Sequence, residues 1–126
     1  MNETIRGSHA SDVFNLPGPF EQTIYAGNRD DVVSLGDGND IAFGGGGNDI
    51  ITATSGDNVF KGGPGNDILY GGDGDNVLKG GKDDDELYDI FGGDMLWGES
   101  GADAFNIFAG RSFTEEVVDL RAEVPT

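Results

Sequence analysis

GGPGNDILYGGDGDNVLKGGKDDDELY, residues 62–88, divides into three nine-residue units, each opening on a glycine pair and closing on a short, mostly apolar run. Stepping outward by nine extends the register from Ala26 to Asn106 with no insertion: AGNRDDVVS, LGDGNDIAF, GGGGNDIIT, ATSGDNVFK, GGPGNDILY, GGDGDNVLK, GGKDDDELY, DIFGGDMLW and GESGADAFN. The eighth position is Val33, Ala42, Ile51, Phe60, Leu69, Leu78, Leu87, Leu96 and Phe105, apolar in every unit. The sixth is Asp31, Asp40, Asp49, Asn58, Asp67, Asn76, Asp85, Asp94 and Asp103, always with a side-chain oxygen.

In a short strand at positions 7 to 9, successive side chains alternate faces, so position 8 points one way and its neighbours the other. One inward residue per unit cannot enclose a core, and stacking of units becomes obligatory. Glycines at positions 1, 2 and 4 let the turn reach left-handed backbone angles and let carbonyl oxygens approach an ion closely. An aspartate at position 6 adds the anionic oxygen that carbonyls lack. Carboxylate and backbone oxygens together are what calcium takes.

The pattern resembles the hemolysin-type calcium-binding nonapeptide of the RTX (repeats-in-toxin) family, GGxGxDxUx with U a large apolar residue, best matched by GGGGNDIIT and GGPGNDILY. The resemblance implies an all-β fold, a right-handed parallel β-roll in which each unit supplies a turn and a short strand and two units complete a coil. It also implies several calcium ions between neighbouring turns. Mapped onto the matching positions, the candidate ligands are Asp31, Asp40, Gly45, Gly47, Asp49, Gly63, Gly65, Asp67, Gly81, Asp83, Asp85 and Asp103. Magnesium suits such a site less, because a compact octahedron with retained water fits poorly among backbone carbonyls. Zinc lacks its ligands: His9 is the only histidine and there is no cysteine.

Successive units fall on opposite sides of a two-unit coil. The odd series carries Asp31, Asp49, Asp67, Asp85 and Asp103, an unbroken aspartate column; the even series carries Asp40, Asn58, Asn76 and Asp94. In the two asparagine units the acid moves back one place, to Asp57 and Asp75, turning ND into DN. Asparagine removes a charge, which weakens calcium binding, and stacked amides form a ladder that needs no ion. Calcium is therefore expected mainly on the odd edge, between Asp31/Asp49, Asp49/Asp67, Asp67/Asp85 and Asp85/Asp103. The competing reading is that Asp57 and Asp75 restore the charge in a slightly different turn. The later units depart from the pattern: Asp83 replaces a turn glycine, Ile90 and Phe91 sit in a turn, and Glu99 takes a glycine place.

Composition agrees with a cation binder. Glycine accounts for 23 of 126 residues and the formal charge is -17, with only seven lysines and arginines. A chain this acidic repels nucleic acid and anionic membrane, whereas packed carboxylates call for a hard divalent cation. No run of 18 apolar residues and no charged-then-apolar leader is present, so neither a membrane span nor a classical signal peptide is expected in this chain.

Three regions are expected: degenerate N-terminal repeats over 1–25, the calcium-binding roll over 26–106 and a capping segment over 107–126. GSHASDVFN, residues 7–15, reads as a further unit with Asp12 and Phe14 at positions 6 and 8. LPGPFEQTIY, residues 16–25, is one residue too long, so the roll slips or turns aside there. The stub ETIR, residues 3–6, reads as the tail of a unit cut through, as in a piece of a longer protein. Phe108, Phe113, Val117, Val118 and Leu120 would cover the last core rung, as strand or short helix.

The function expected is calcium binding by a module that folds on taking up the ion and serves structure or type I secretion in a secreted, extracellular bacterial protein. Its partner would be a catalytic or toxin domain of a longer parent. No HExxH, triad or phosphate loop points to an enzyme. The alternative is a polysaccharide- or surface-binding module attached to an extracellular enzyme, with Phe43, Tyr70, Tyr88 and Trp97 as stacking residues.

Overall fold

The computed structural model describes residues 3–108 and 122–123. Within them, alternation along the chain produces the strands β1 (Glu3–Arg6), β2 (Val13–Leu16), β3 (Gln22–Tyr25), β4 (Val32–Leu35), β5 (Ile41–Phe43), β6 (Ile50–Ala53), β7 (Val59–Lys61), β8 (Ile68–Tyr70), β9 (Val77–Lys79), β10 (Glu86–Asp89), β11 (Met95–Trp97), β12 (Glu99–Ser100), β13 (Ala104–Ile107) and β14 (Ala122–Glu123). Alternate strands separate into two sheets, β1-β3-β5-β7-β9-β11 and, with β13 at its end, β13-β10-β8-β6-β4-β2, and β12 pairs with β14 apart from both. All pairings are parallel. The molecule is an all-β solenoid of the parallel β-roll type. Of the residues expected to cover the last core rung, Phe108 is exposed, and Phe113, Val117, Val118 and Leu120 lie outside the described residues.

The register shows why the repeat is nine and the coil eighteen. Val32 pairs with Ile50 and Ile50 with Ile68, so residues two units apart stack directly. At the N-terminal end the step is one longer, Phe14 opposite Val33 and Ile5 opposite Ile24. The extra residue of 16–25 is taken up in the turn between β2 and β3, where Gly18 has φ +126°. The roll continues through it, and the stub at Glu3–Arg6 forms its first strand.

Between the sheets lies one core. Position 8 is fully buried from Val33 through Leu96, and Ile24 extends the column. Large and small residues complement one another along it: Ala42 stands beside Phe60 on the neighbouring strand. Ala26, Leu35 and Ala53 add a second inward row. They occupy the position 1 places where these units lack glycine, a contribution that position 8 alone did not reveal.

Candidate metal centre

The turns joining the sheets form two edges, and position 6 sets the chemistry of both. Each position 6 side chain reaches back one coil through Oδ1. The main-chain N–H of Asp31 donates to Asp49 at 2.9 Å, that of Asp49 to Asp67 at 2.8 Å, that of Asp67 to Asp85 at 2.8 Å and that of Asp85 to Asp103 at 2.9 Å. On the other edge the ladder runs from Gln22 N–H to Asp40, Asp40 to Asn58, Asn58 to Asn76 and Asn76 to Asp94. The oxygen common to Asp and Asn makes this ladder, which explains why either satisfies the repeat.

The second atom of the side chain separates aspartate rungs from asparagine rungs. Oδ2 of Asp31, Asp49, Asp67, Asp85 and Asp103 is buried without a hydrogen-bond partner, as is Oδ2 of Asp40. A buried, unpaired carboxylate oxygen is costly, and a column of them demands a counter-charge. At Asn58 the corresponding atom is Nδ2, which donates to the carbonyls of Ser55, Gly56 and Gly71 at 3.3, 3.3 and 3.1 Å. At Asn76 it donates to the carbonyls of Gly72 and Gly74 and to Oδ1 of Asp94. The asparagine amide thus meets turn carbonyls that an aspartate would leave for a cation.

The odd-edge turns are shaped to bring oxygens together. Asp49 Oδ2 and the Gly62 carbonyl converge on Gly44, and Asp67 Oδ2 and the Gly80 carbonyl converge on Gly62, each in space that a Cβ would fill. Gly45, Gly63 and Gly81 have φ of +87°, +94° and +102°, with the carbonyl of Gly45 lying against Gly63 and that of Gly63 against Gly81. Gly47 and Gly65 repeat this at position 4. Where glycine is missing the backbone keeps its shape: Arg29 and Asp83 at position 4 and Glu99 at position 2 have φ of +76°, +75° and +68°. Asp83 is exposed, and its Oδ2 accepts from the Gly65 N–H at 2.9 Å.

Charge follows geometry. Burial first, then the neighbouring carboxylates Asp49 and Asp85, pushes Asp67 up to about 8 from its ordinary 3.8. Burial likewise lifts Asp49 and Asp85 to about 7 and raises Asp31, Asp40 and Asp103. No group of three or more His, Cys, Asp or Glu side chains gathers among the described residues, so a cation here must draw on main-chain oxygens. Carboxylate plus carbonyl oxygens in a glycine cradle fit calcium.

A second ladder, at position 5, was not recognised in the sequence. Asn48 N–H donates to Asp30, Asn66 to Asn48, Asp84 to Asn66 and Ala102 to Asp84. On the even edge Asp57 N–H donates to Asn39, Asp75 to Asp57 and Gly93 to Asp75. Asp57 and Asp75 are therefore exposed rungs of this outer ladder, directed away from the buried amides of Asn58 and Asn76. The signal was legible: position 5 is Asp or Asn in seven consecutive units, Asp30 to Asp84. The aromatics Phe43 and Trp97 lie on one sheet, Tyr70 and Tyr88 on the other.

The fold and the oxygen-lined turns define a calcium-binding β-roll. The model of the RTX calcium-binding nonapeptide repeat, four copies long, matches residues 18–51 and again 52–87. The chain belongs to this family. No curated protein and no solved structure matches it. No helix among the described residues is long and apolar enough to cross a membrane.

Proposed function

We propose that calcium ions line the odd edge, held between Asp31/Asp49, Asp49/Asp67, Asp67/Asp85 and Asp85/Asp103 with carbonyls of the glycine turns, including those of Gly45, Gly47, Gly63, Gly65 and Gly81. The observation carrying this is the column of buried Oδ2 atoms without hydrogen-bond partners. Asp83 serves as a turn clamp through Gly65 rather than as a ligand. Asp40 stands between Gln22 and Asn58, so neither position 6 neighbour on its edge brings a carboxylate and its place binds weakly or not at all.

Without the ion the stacked carboxylates repel one another, so folding and binding become one event. Residues 26–106 carry the sites and the degenerate repeats before them extend the roll. Calcium is scarce in cytosol and plentiful outside. A chain that folds only on taking up calcium passes a type I secretion channel unfolded and folds extracellularly, as a structural module of a secreted bacterial protein.

The test is a far-UV circular dichroism titration with calcium, magnesium as control, and calorimetry to count ions. Cooperative gain of β signal with calcium and a count near four support the reading. A chain fully folded in chelator, or a count near eight, overturns the folding switch or the one-edged array respectively.

A further inference from the structure

The turn within residues 7–15 is built as one more rung of the odd edge. The Asp12 N–H donates to Oδ1 of Asp31 at 2.7 Å and the Val32 N–H to the Asp12 carbonyl at 2.9 Å, bonds that Asp31, Asp49 and Ile50 repeat one coil on. Asp12 Oδ2 and the Ala26 carbonyl converge on Gly7, as Asp49 Oδ2 and the Gly62 carbonyl do on Gly44. The Ser8 carbonyl lies against Gly27 as that of Gly45 lies against Gly63. By position, then, a cradle stands between Asp12 and Asp31 with the same frame as those further along.

Its carboxylate, however, is engaged. Asp12 Oδ2 accepts the Ser8 N–H at 2.7 Å, and the Ser8 hydroxyl lies 2.9 Å from Oδ1 and 3.0 Å from Oδ2. The same hydroxyl accepts the Ala10 N–H at 3.1 Å, which holds it in place. In Asp31, Asp49, Asp67, Asp85 and Asp103 the Oδ2 atom has no hydrogen-bond partner. Backbone conformation accounts for the difference. Position 2 of those five units is left-handed, with φ of +109° at Gly27, +87° at Gly45, +94° at Gly63, +102° at Gly81 and +68° at Glu99. Among the described residues, Ser8 alone holds position 2 of an odd-edge unit without that angle. A residue with a Cβ avoids the left-handed region, and the backbone that results aims the Ser8 N–H at its own aspartate.

Given calcium along the odd edge, on which this rests, we propose that Ser8 terminates the column: its N–H and hydroxyl occupy the Asp12 oxygens that an ion between Asp12 and Asp31 would require. Calcium takes oxygens at about 2.3–2.6 Å and needs their lone pairs open. A hydrogen aimed at Oδ2 puts a positive partner in that place, and hydrogen bonds to an ionised carboxylate are the strong ones. Serine thus supplies locally what the ion supplies further along, and the first odd-edge turn is complete without calcium. Asp12 stands at the same repeat position as Asp31, and the decision lies four residues before it, where serine replaces the glycine of the repeat.

The test is calorimetric ion counting on the full chain, with far-UV circular dichroism in calcium to establish that each variant keeps the roll. The parent chain should take near four ions and Ser8→Gly near five, because glycine restores the left-handed turn and frees Asp12. Ser8→Gly with Asp12→Asn should return to near four, and Ser8→Thr, which keeps the hydroxyl and avoids the left-handed angle, should stay there. Asp12→Asn alone should leave the count of the parent chain unchanged, a result that does not depend on how the glycine variant folds. A count that falls by one in Asp12→Asn shows Ser8 yielding to an ion and overturns the proposal, as does a folded Ser8→Gly chain that gains none. Failure of the odd-edge reading itself looks different: Asp67→Asn would then leave the count of the parent chain unchanged, and the proposal would fall with it.

Discussion

The main-chain N–H of Asp49 donates to Oδ1 of Asp67 at 2.8 Å, while Oδ2 of the same carboxylate is buried with no hydrogen-bond partner. One oxygen couples successive coils and the other faces the turn in need of a cation. Fold and ion therefore share a side chain, and conservative changes there should separate the two roles.

Asp67→Asn keeps the coupling oxygen and supplies an amide that can donate to turn carbonyls as Asn58 does. It should stabilise the chain in chelator by about 1–3 kcal/mol, by removing an unpaired buried carboxylate oxygen. It should also lower the calcium count by about two, since Asp67 faces a neighbour on either side. Chemical denaturation with and without calcium, with calorimetry, reads both effects.

The converse pair, Asn58→Asp with Asn76→Asp, should add sites on the even edge and make the chain more dependent on calcium. An unchanged ion count would mean that the even turns cannot cradle calcium even when charged.

Proton and calcium should compete at the odd edge. In the ion-free fold Asp49, Asp67 and Asp85 are raised from 3.8 to about 7, 8 and 7, so the folded chain holds protons that the unfolded chain has released. The stability they contribute is fully present below about pH 4 and is lost as pH rises through 7 to 8. In chelator, β signal should thus be stronger at pH 5 than at pH 8. Calcium binding should tighten over the same rise and release protons, measurable as a buffer-dependent calorimetric heat.

Gly47 and Arg29 stack at position 4 of neighbouring odd turns with φ of +94° and +76°. Gly47→Ala puts a Cβ against the Arg29 carbonyl in a conformation L-residues avoid, and should cost about 2 kcal/mol or more. Arg29→Gly removes a strained residue and should gain about 1 kcal/mol. Denaturation midpoints in saturating calcium compare the two.

Among the described residues Phe60 is the largest fully buried side chain. Phe60→Ala places alanine next to Ala42 in the same column and should cost about 3–5 kcal/mol, read as a lowered midpoint in saturating calcium.

Much of this was legible because a repeat reports each constraint many times. Nine apolar residues at one position gave the core column, and the separate odd and even series of position 6 gave the two edges. Other features needed the fold. Position 5 was visible as a run of Asp and Asn, but its direction, opposite to that of position 6, follows only from which coil lies on which side. Ala26, Leu35 and Ala53 look like failed glycines until the sheets close over them.

The sequence by itself determined the coil, its inward residue and the chemistry of its turns, because nine-residue periodicity leaves a chain with one core side chain per unit no stable arrangement but stacking. Only the tertiary structure decided which atoms of Asp and Asn are spent on the ladder and which remain for an ion. It also aligned three cations and three aromatics from six separate strands, Arg6, Tyr25, Phe43, Lys61, Lys79 and Trp97, into one row. The ladder and the row depend on contacts between residues eighteen or nineteen apart, which spacing can place side by side but whose atoms only packing can orient.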